Sequence, residues 1–273
     1  MLQILDISYS SSSSPYHSFD LYLPSHSVRS SPLFCFVHGG AWRSEDKRDH
    51  ADFARNIVLR SDCPVAVPNY HLTPKEISDS DSFRHPGHAL DILECLTFLT
   101  SWAGPPDLGS VYDPSRIHLI GHSCAAHMLS SIFLDSSAIT PCLAPTAIVL
   151  RSVMSIALAA GIYDIDLLLL KYPEYRSRFI EPAFGNMNSY SAFSVATYPL
   201  RAENIRWLIV HSPGDTLVDL GQGRIMYEHL RQIMVDDVGR RVEGDFHTCN
   251  TQHHDMFKDG AFLELLVKFA LRE

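Results

Sequence analysis

Ile117-His118-Leu119-Ile120-Gly121-His122-Ser123-Cys124-Ala125-Ala126-His127-Met128-Leu129 reads as an apolar strand, a sharp turn and a helix that meet at one serine. That junction has the form of a nucleophile elbow. A strained strand-to-helix turn lifts the serine hydroxyl clear of the sheet edge and sets the next amide, that of Cys124, beside the atom under attack. Small residues two positions either side of the serine let strand and helix approach. Gly121 and Ala125 stand there, the second one methyl larger than the usual glycine. Short serine-glycine patterns also occur by chance, so the reading needs partners elsewhere in the chain.

The first partner lies upstream, where Phe36-Val37 runs into His38-Gly39-Gly40-Ala41-Trp42. Acyl transfer puts negative charge on a carbonyl oxygen, and fixed backbone N–H groups stabilise it by about 3 kcal/mol each. Gly39 and Gly40 carry no side chain to block such amides, and Cys124 N–H is the third candidate donor; Ala41 is a substitute for one glycine. The plain alternative is a Gly-Gly turn after a strand. A carboxylate and then a histidine should follow the serine. Asp215, 92 residues after Ser123, closes the run Arg206-Trp207-Leu208-Ile209-Val210-His211-Ser212-Pro213-Gly214 and is the candidate acid. Asp219 is the alternative, but it sits where a helix start wants an acidic cap. His247, His253 and His254 are candidates for the base, and spacing alone leaves His253 and His254 open. A metal set of Cys249, His253, His254 and Asp255 has suitable donors but no second cluster to complete a tetrahedral shell.

Working outward, the 273 residues suit a single α/β catalytic domain spanning 1–273. With 22 basic against 31 acidic side chains the formal charge is −9, and no Lys/Arg cluster stands out. Nucleic acid and anionic membranes are therefore poor partners, and a small molecule is the expected one. The first ten residues do not read as a secretory signal, so the cytoplasm is the expected compartment. The six cysteines are scattered without C-x-x-C spacing and read as buried free thiols. The apolar stretch 144–170 is interrupted by Arg151, Asp164 and Asp166, short of the roughly 20 apolar residues a bilayer requires. It reads as a buried strand, a loop and a helix. The serine run 10–14 reads as a surface turn.

Periodicity predicts an edge strand over 19–23, buried strands over 33–37, 65–68, 117–120, 146–150 and 206–211, and helices over 47–59, 87–101, 124–134, 221–235 and 260–271. Alternating strands and helices imply a mostly parallel sheet covered on both faces, with ligands at the carboxyl ends of the strands. Ser123 is at such an end.

These pieces together resemble the kynurenine formamidase family, in its fungal form, of the α/β-hydrolase superfamily. The resemblance rests on His38-Gly39-Gly40-Ala41-Trp42, Asn69-Tyr70-His71-Leu72, Gly121-His122-Ser123-Cys124-Ala125-Ala126-His127, Gly161-Ile162-Tyr163-Asp164, Tyr172-Pro173 with Ala183-Phe184-Gly185, His211-Ser212 with Asp215, and His253-His254-Asp255. It implies an α/β-hydrolase fold, Ser123 as nucleophile, Asp215 as acid and His253, not His254, as base. It also implies N-formyl-L-kynurenine as substrate, no metal or organic cofactor, and a homodimer. Trp42 and Tyr163 are candidates for the flat apolar surface an aromatic leaving group needs, although each also suits core packing. Two departures from the family stand out: Ala125 for glycine, and His71 where arginine is common, which bears on substrate binding. The segment 136–152 looks like an insertion near the site. A general carboxylesterase fits the same residues. So does a silent relative that only binds, but loss of a triad residue usually marks that outcome, and none is missing.

Overall fold

The computed structural model describes residues 1–12, 14–25, 29–74, 83–234 and 241–272. Ser13 of the serine run and Val235, the expected end of one helix, lie outside them. Among the described residues eight strands form one sheet: β1 (Leu2–Ser8), β2 (Ser18–Leu23), β3 (Leu33–Val37), β4 (Val65–Pro68), β5 (Ile117–His122), β6 (Val153–Ala159), β7 (Arg206–Val210) and β8 (Val242–Asp245). Their order is β1-β2-β4-β3-β5-β6-β7-β8. β1 and β2 pair antiparallel, as do β2 and β4; every later pairing is parallel. The helices are α1 (Ala51–Ser61), α2 (Gly87–Leu99), α3 (Cys124–Phe133), α4 (Ala147–Ser152), α5 (Ile165–Lys171), α6 (Glu181–Phe184), α7 (Leu220–Ile233) and α8 (Gly260–Leu271).

The period of two along each strand divides the core between two layers. Phe34 and Phe36 of β3 join Val65, Val67, Leu208 and Val210 under α1 and α8, which present Phe53, Ile57, Phe262 and Leu266. Leu33, Cys35 and Val37 face the other way, with Leu119 and Ile209, toward Ile92 of α2, Leu129 of α3 and Leu230 of α7. A sheet buried on both faces needs continuous apolar strands, and that is why β3, β4 and β5 read so plainly in the sequence.

Three expectations are corrected. Residues 19–23 are not an edge: all six residues of β2 are buried between β1 and β4. The edge is β1, whose ladder slips between Ile4 and Ile7 around Asp6 at φ 57°; such a bulge blunts pairing with other chains. The expected strand 146–150 is the helix α4, begun where Thr146 Oγ1 accepts from Val149 N–H at 3.3 Å. A short apolar run without clear period suits either form, and here the cap decides; the strand follows at 153–159. Cys142 is exposed, the other five cysteines buried.

Candidate active site

β5 ends and α3 begins on either side of Ser123, whose backbone sits at φ 57°, ψ −121°. A non-glycine residue in that region carries strain that its surroundings must hold. Ser123 N–H donates to Ala159 O at 3.0 Å, tying the turn to β6. A Cβ at Gly121 would lie 2.8 Å from Leu129 Cδ1, so strand and helix do close on that glycine. Ala125 is accommodated and fully buried.

The loop after β3 crosses directly over the elbow. A Cβ at Gly39 would lie 3.0 Å from both Ser123 Cβ and His122 Nδ1. Gly39 is therefore a point of close approach and does not line the pocket beside Ser123; Gly40 and Ala41 do. Gly40 (φ 92°), Ala41 (φ 52°), Trp42 (φ 59°) and Glu45 (φ 71°) are all left-handed, a strained turn held by its anchors. Tyr70 Oη donates to the carbonyls of His38 (3.1 Å) and Gly39 (2.7 Å), and Trp42 N–H donates to Cys124 Sγ at 3.2 Å. Burial pushes the Cys124 thiol up to about 12, so it stays neutral as that acceptor. A Cβ at Gly40 would meet Ser44 O at 2.0 Å. Gly40→Ala is expected to cost about 100-fold or more in kcat and about 3 kcal/mol of stability, read by ester hydrolysis and thermal melting.

The acid and base loops are stitched to each other. Ser212 Oγ donates to Thr251 O (2.6 Å) and accepts from Thr251 N–H (2.8 Å). Asp215 Oδ1 accepts from the amides of Leu217 (2.9 Å) and Val218 (3.0 Å), and Oδ2 accepts from His253 Nδ1 at 2.6 Å. Burial works against the Asp215 charge, but the His253 hydrogen bond and charge, the Val218 amide and His211 hold its carboxyl below the usual range. His211 Nε2 lies 3.6 Å from Asp215 Oδ2 while bonding to Val218 O. The His253 carbonyl accepts from His122 Nε2 of the elbow at 3.2 Å.

The structure thus brings Ser123 and His253 to one pocket, with Asp215 behind the imidazole. His254 lines the same pocket but is 56 % exposed, with Nδ1 3.8 Å from Glu45 Oε1, and it is His253 that bonds the acid. Asp219 caps α7, accepting from Gly221 N–H at 2.9 Å. His247 is exposed near Asp245. Cys249, His253, His254 and Asp255 do not gather around a common point; among the described residues the groupings that could hold an ion are His17–His71–Asp91 and His38–Glu45–His50. His71 Nδ1 bonds Asp91 Oδ2 at 2.7 Å, and His71 is not among the residues that line the pocket. No residue of 136–152 lines the pocket either.

Trp42 and Tyr163 are corrected as substrate contacts. Both are fully buried. Trp42 packs edge-on against Phe184 and His127, and a Cβ on Gly161 would run into the Tyr163 ring at 2.4 Å. The apolar wall of the roughly 460 Å³ pocket comes instead from Tyr175, Phe179, Ile162, Leu217 and Val218, a size suited to a small organic ligand. Tyr175 and Phe179 sit on or beside the turn Arg176–Ile180, which carries no motif that sequence reading could use.

An eight-stranded, mostly parallel sheet with a serine at the strand-to-helix elbow is the α/β-hydrolase fold. The chain belongs to the BD-FAE family, which matches residues 19–230. It is similar to the kynurenine formamidase of Meyerozyma guilliermondii, 27% identical over 203 residues that cover 72% of this chain and 70% of that one. It is likewise similar to the kynurenine formamidase of Eremothecium gossypii, 28% identical over 221 residues covering 75% and 83%. Among solved structures, the bifunctional GH43-CE protein of Bacteroides eggerthii superposes with a TM-score of 0.74 at 17% identity. The match covers 99% of this chain, which spans 35% of that longer one. The resemblance to kynurenine formamidases read from the motifs holds, and hydrolase activity is the coarse function these relatives support.

Proposed function

We propose that the chain hydrolyses N-formyl-L-kynurenine to L-kynurenine and formate, with Ser123, His253 and Asp215 as a catalytic triad. His253 takes the proton of Ser123 Oγ, and the oxygen attacks the formyl carbon. The oxyanion is held by the amides of Cys124, Gly39 and Gly40, with Ala41 N–H, which lines the pocket beside Gly40, as the substitute for one glycine. His253 then protonates the departing arylamine, leaving formyl-serine. Water, deprotonated by His253, attacks that ester and releases formate. Asp215 fixes the imidazole tautomer and stabilises its cation.

The observation that carries this reading is the 2.6 Å bond from His253 Nδ1 to Asp215, with the histidine and Ser123 lining one pocket. The formamide assignment draws on likeness to the fungal formamidases. A cytoplasmic homodimer is the working form we propose with it. A paired assay of N-formyl-L-kynurenine against short-chain aryl esters tests the substrate. The expected result is a kcat/KM for the formamide at least tenfold above that for the esters; the reverse preference means a general carboxylesterase.

A further inference from the structure

The pocket around Ser123 and His253 carries charges that the hydrolytic steps leave unused. Arg43, Glu45 and Arg178 line it together with the rings of Tyr175 and Phe179. Moving a formyl group from nitrogen to serine to water calls on a hydroxyl, an imidazole, one carboxylate and backbone amides. It has no use for a guanidinium or a second carboxylate in the wall.

Arg178 is exposed, and among the described residues no carboxylate pairs with its guanidinium. Its backbone is fixed nonetheless: the Arg178 carbonyl accepts from Arg43 Nη1, joining the turn Arg176–Ile180 to the loop after β3. Glu45 is positioned just as firmly. His50 Nε2 lies 2.9 Å from its Oε2, leaving Oε1 on the side of His254 and the pocket. Burial opposes the Glu45 charge, but the bond and charge of His50, with His38 and His254, keep the carboxyl below its usual range. The pocket wall therefore offers a cation and an anion beside an aromatic surface. A chain of net charge −9 repels anionic ligands at a distance, so a local guanidinium is the feature that lets one dock.

We propose that Arg178 and Glu45 form a subsite for an α-amino-acid headgroup on the leaving group, Arg178 taking the carboxylate and Glu45 the ammonium while Tyr175 and Phe179 take the ring. Planar guanidinium suits a carboxylate because it can donate two parallel hydrogen bonds. The proposal rests on the hydrolase reading above and assigns the residues that hold the amino-acid end of its substrate.

Two substrate pairs test it on the full chain: N-formyl-L-kynurenine against neutral formanilide, and O-acetyl-L-tyrosine against phenyl acetate. In Arg178→Met the ratio of KM for the zwitterion to KM for its neutral partner is expected to rise about tenfold over wild type. Arg178→Lys recovers part of that ratio, and Glu45→Gln raises it less for 3-(4-acetoxyphenyl)propionate, which lacks the ammonium. Ratios equal to wild type in Arg178→Met overturn the subsite. Should wild type cleave O-acetyl-L-tyrosine with the expected ratio change but leave N-formyl-L-kynurenine intact, the formamidase reading falls and the subsite stands.

Discussion

Ser123→Ala is expected to lower kcat by about 10⁵- to 10⁶-fold while the protein still folds. The nucleophile forms the bond on which both half-reactions depend, and the rest of the apparatus retains only what oxyanion donors and binding supply. Labelling by an organophosphonate should vanish in the same variant. His253→Ala should fall nearly as far, and combining it with Ser123→Ala should add little, since the two act as one unit. Asp215→Asn should cost about 10⁴-fold through the wrong imidazole tautomer. His254→Ala should keep most of the activity, because Asp215 bonds His253, while His254 Nδ1 lies 3.8 Å from Glu45. A collapse in His254→Ala with His253→Ala active would assign the base to the wrong neighbour.

Acid is expected to unfold the protein well above the pH at which its carboxylates titrate. Four buried histidines are held neutral by loss of solvation: His38 and His127 are pushed down to about 4, His88 and His118 to about 3. In the unfolded chain each titrates near 6.5. Below that value the unfolded state binds protons that the native state refuses, so stability falls as pH falls, down to the native values of 3 to 4. Between pH 6 and pH 5 the four together remove about 5 kcal/mol. That is a large share of the 5–15 kcal/mol typical of a folded protein. Thermal melts followed by circular dichroism should show Tm dropping about 10 °C over that interval. His118 Nδ1 bonds Ser155 Oγ at 2.8 Å, and His118→Gln should flatten the part of the slope owed to these four by about a quarter. A Tm constant from pH 7 to pH 5 would contradict the argument.

How much of the site could be read in advance depended on how local each feature is. The elbow was legible because strand, serine and helix are consecutive, and the close contact of Gly121 with Leu129 is made within a few residues. Asp219 was legible as a cap for the same reason. His253 and His254 were not separable by spacing; of the two it is His253 that bonds Asp215, because the Ser212–Thr251 bonds fix the loop that carries it. Trp42 and Tyr163 showed where aromatic residues are, not which way they face. The turn bearing Tyr175, Arg178 and Phe179 gave no signal, since its worth comes from the loop it meets.

Residue order along the chain determined the two-layered sheet, the serine at a strand end and the succession of acid and histidine, because periodicity and turn chemistry act over a few neighbours. Tertiary structure alone decided which imidazole meets the carboxylate, which amides line the pocket and which side chains form its wall. Those outcomes depend on loops 38 to 135 residues apart closing on one another, and no short stretch of sequence encodes that distance.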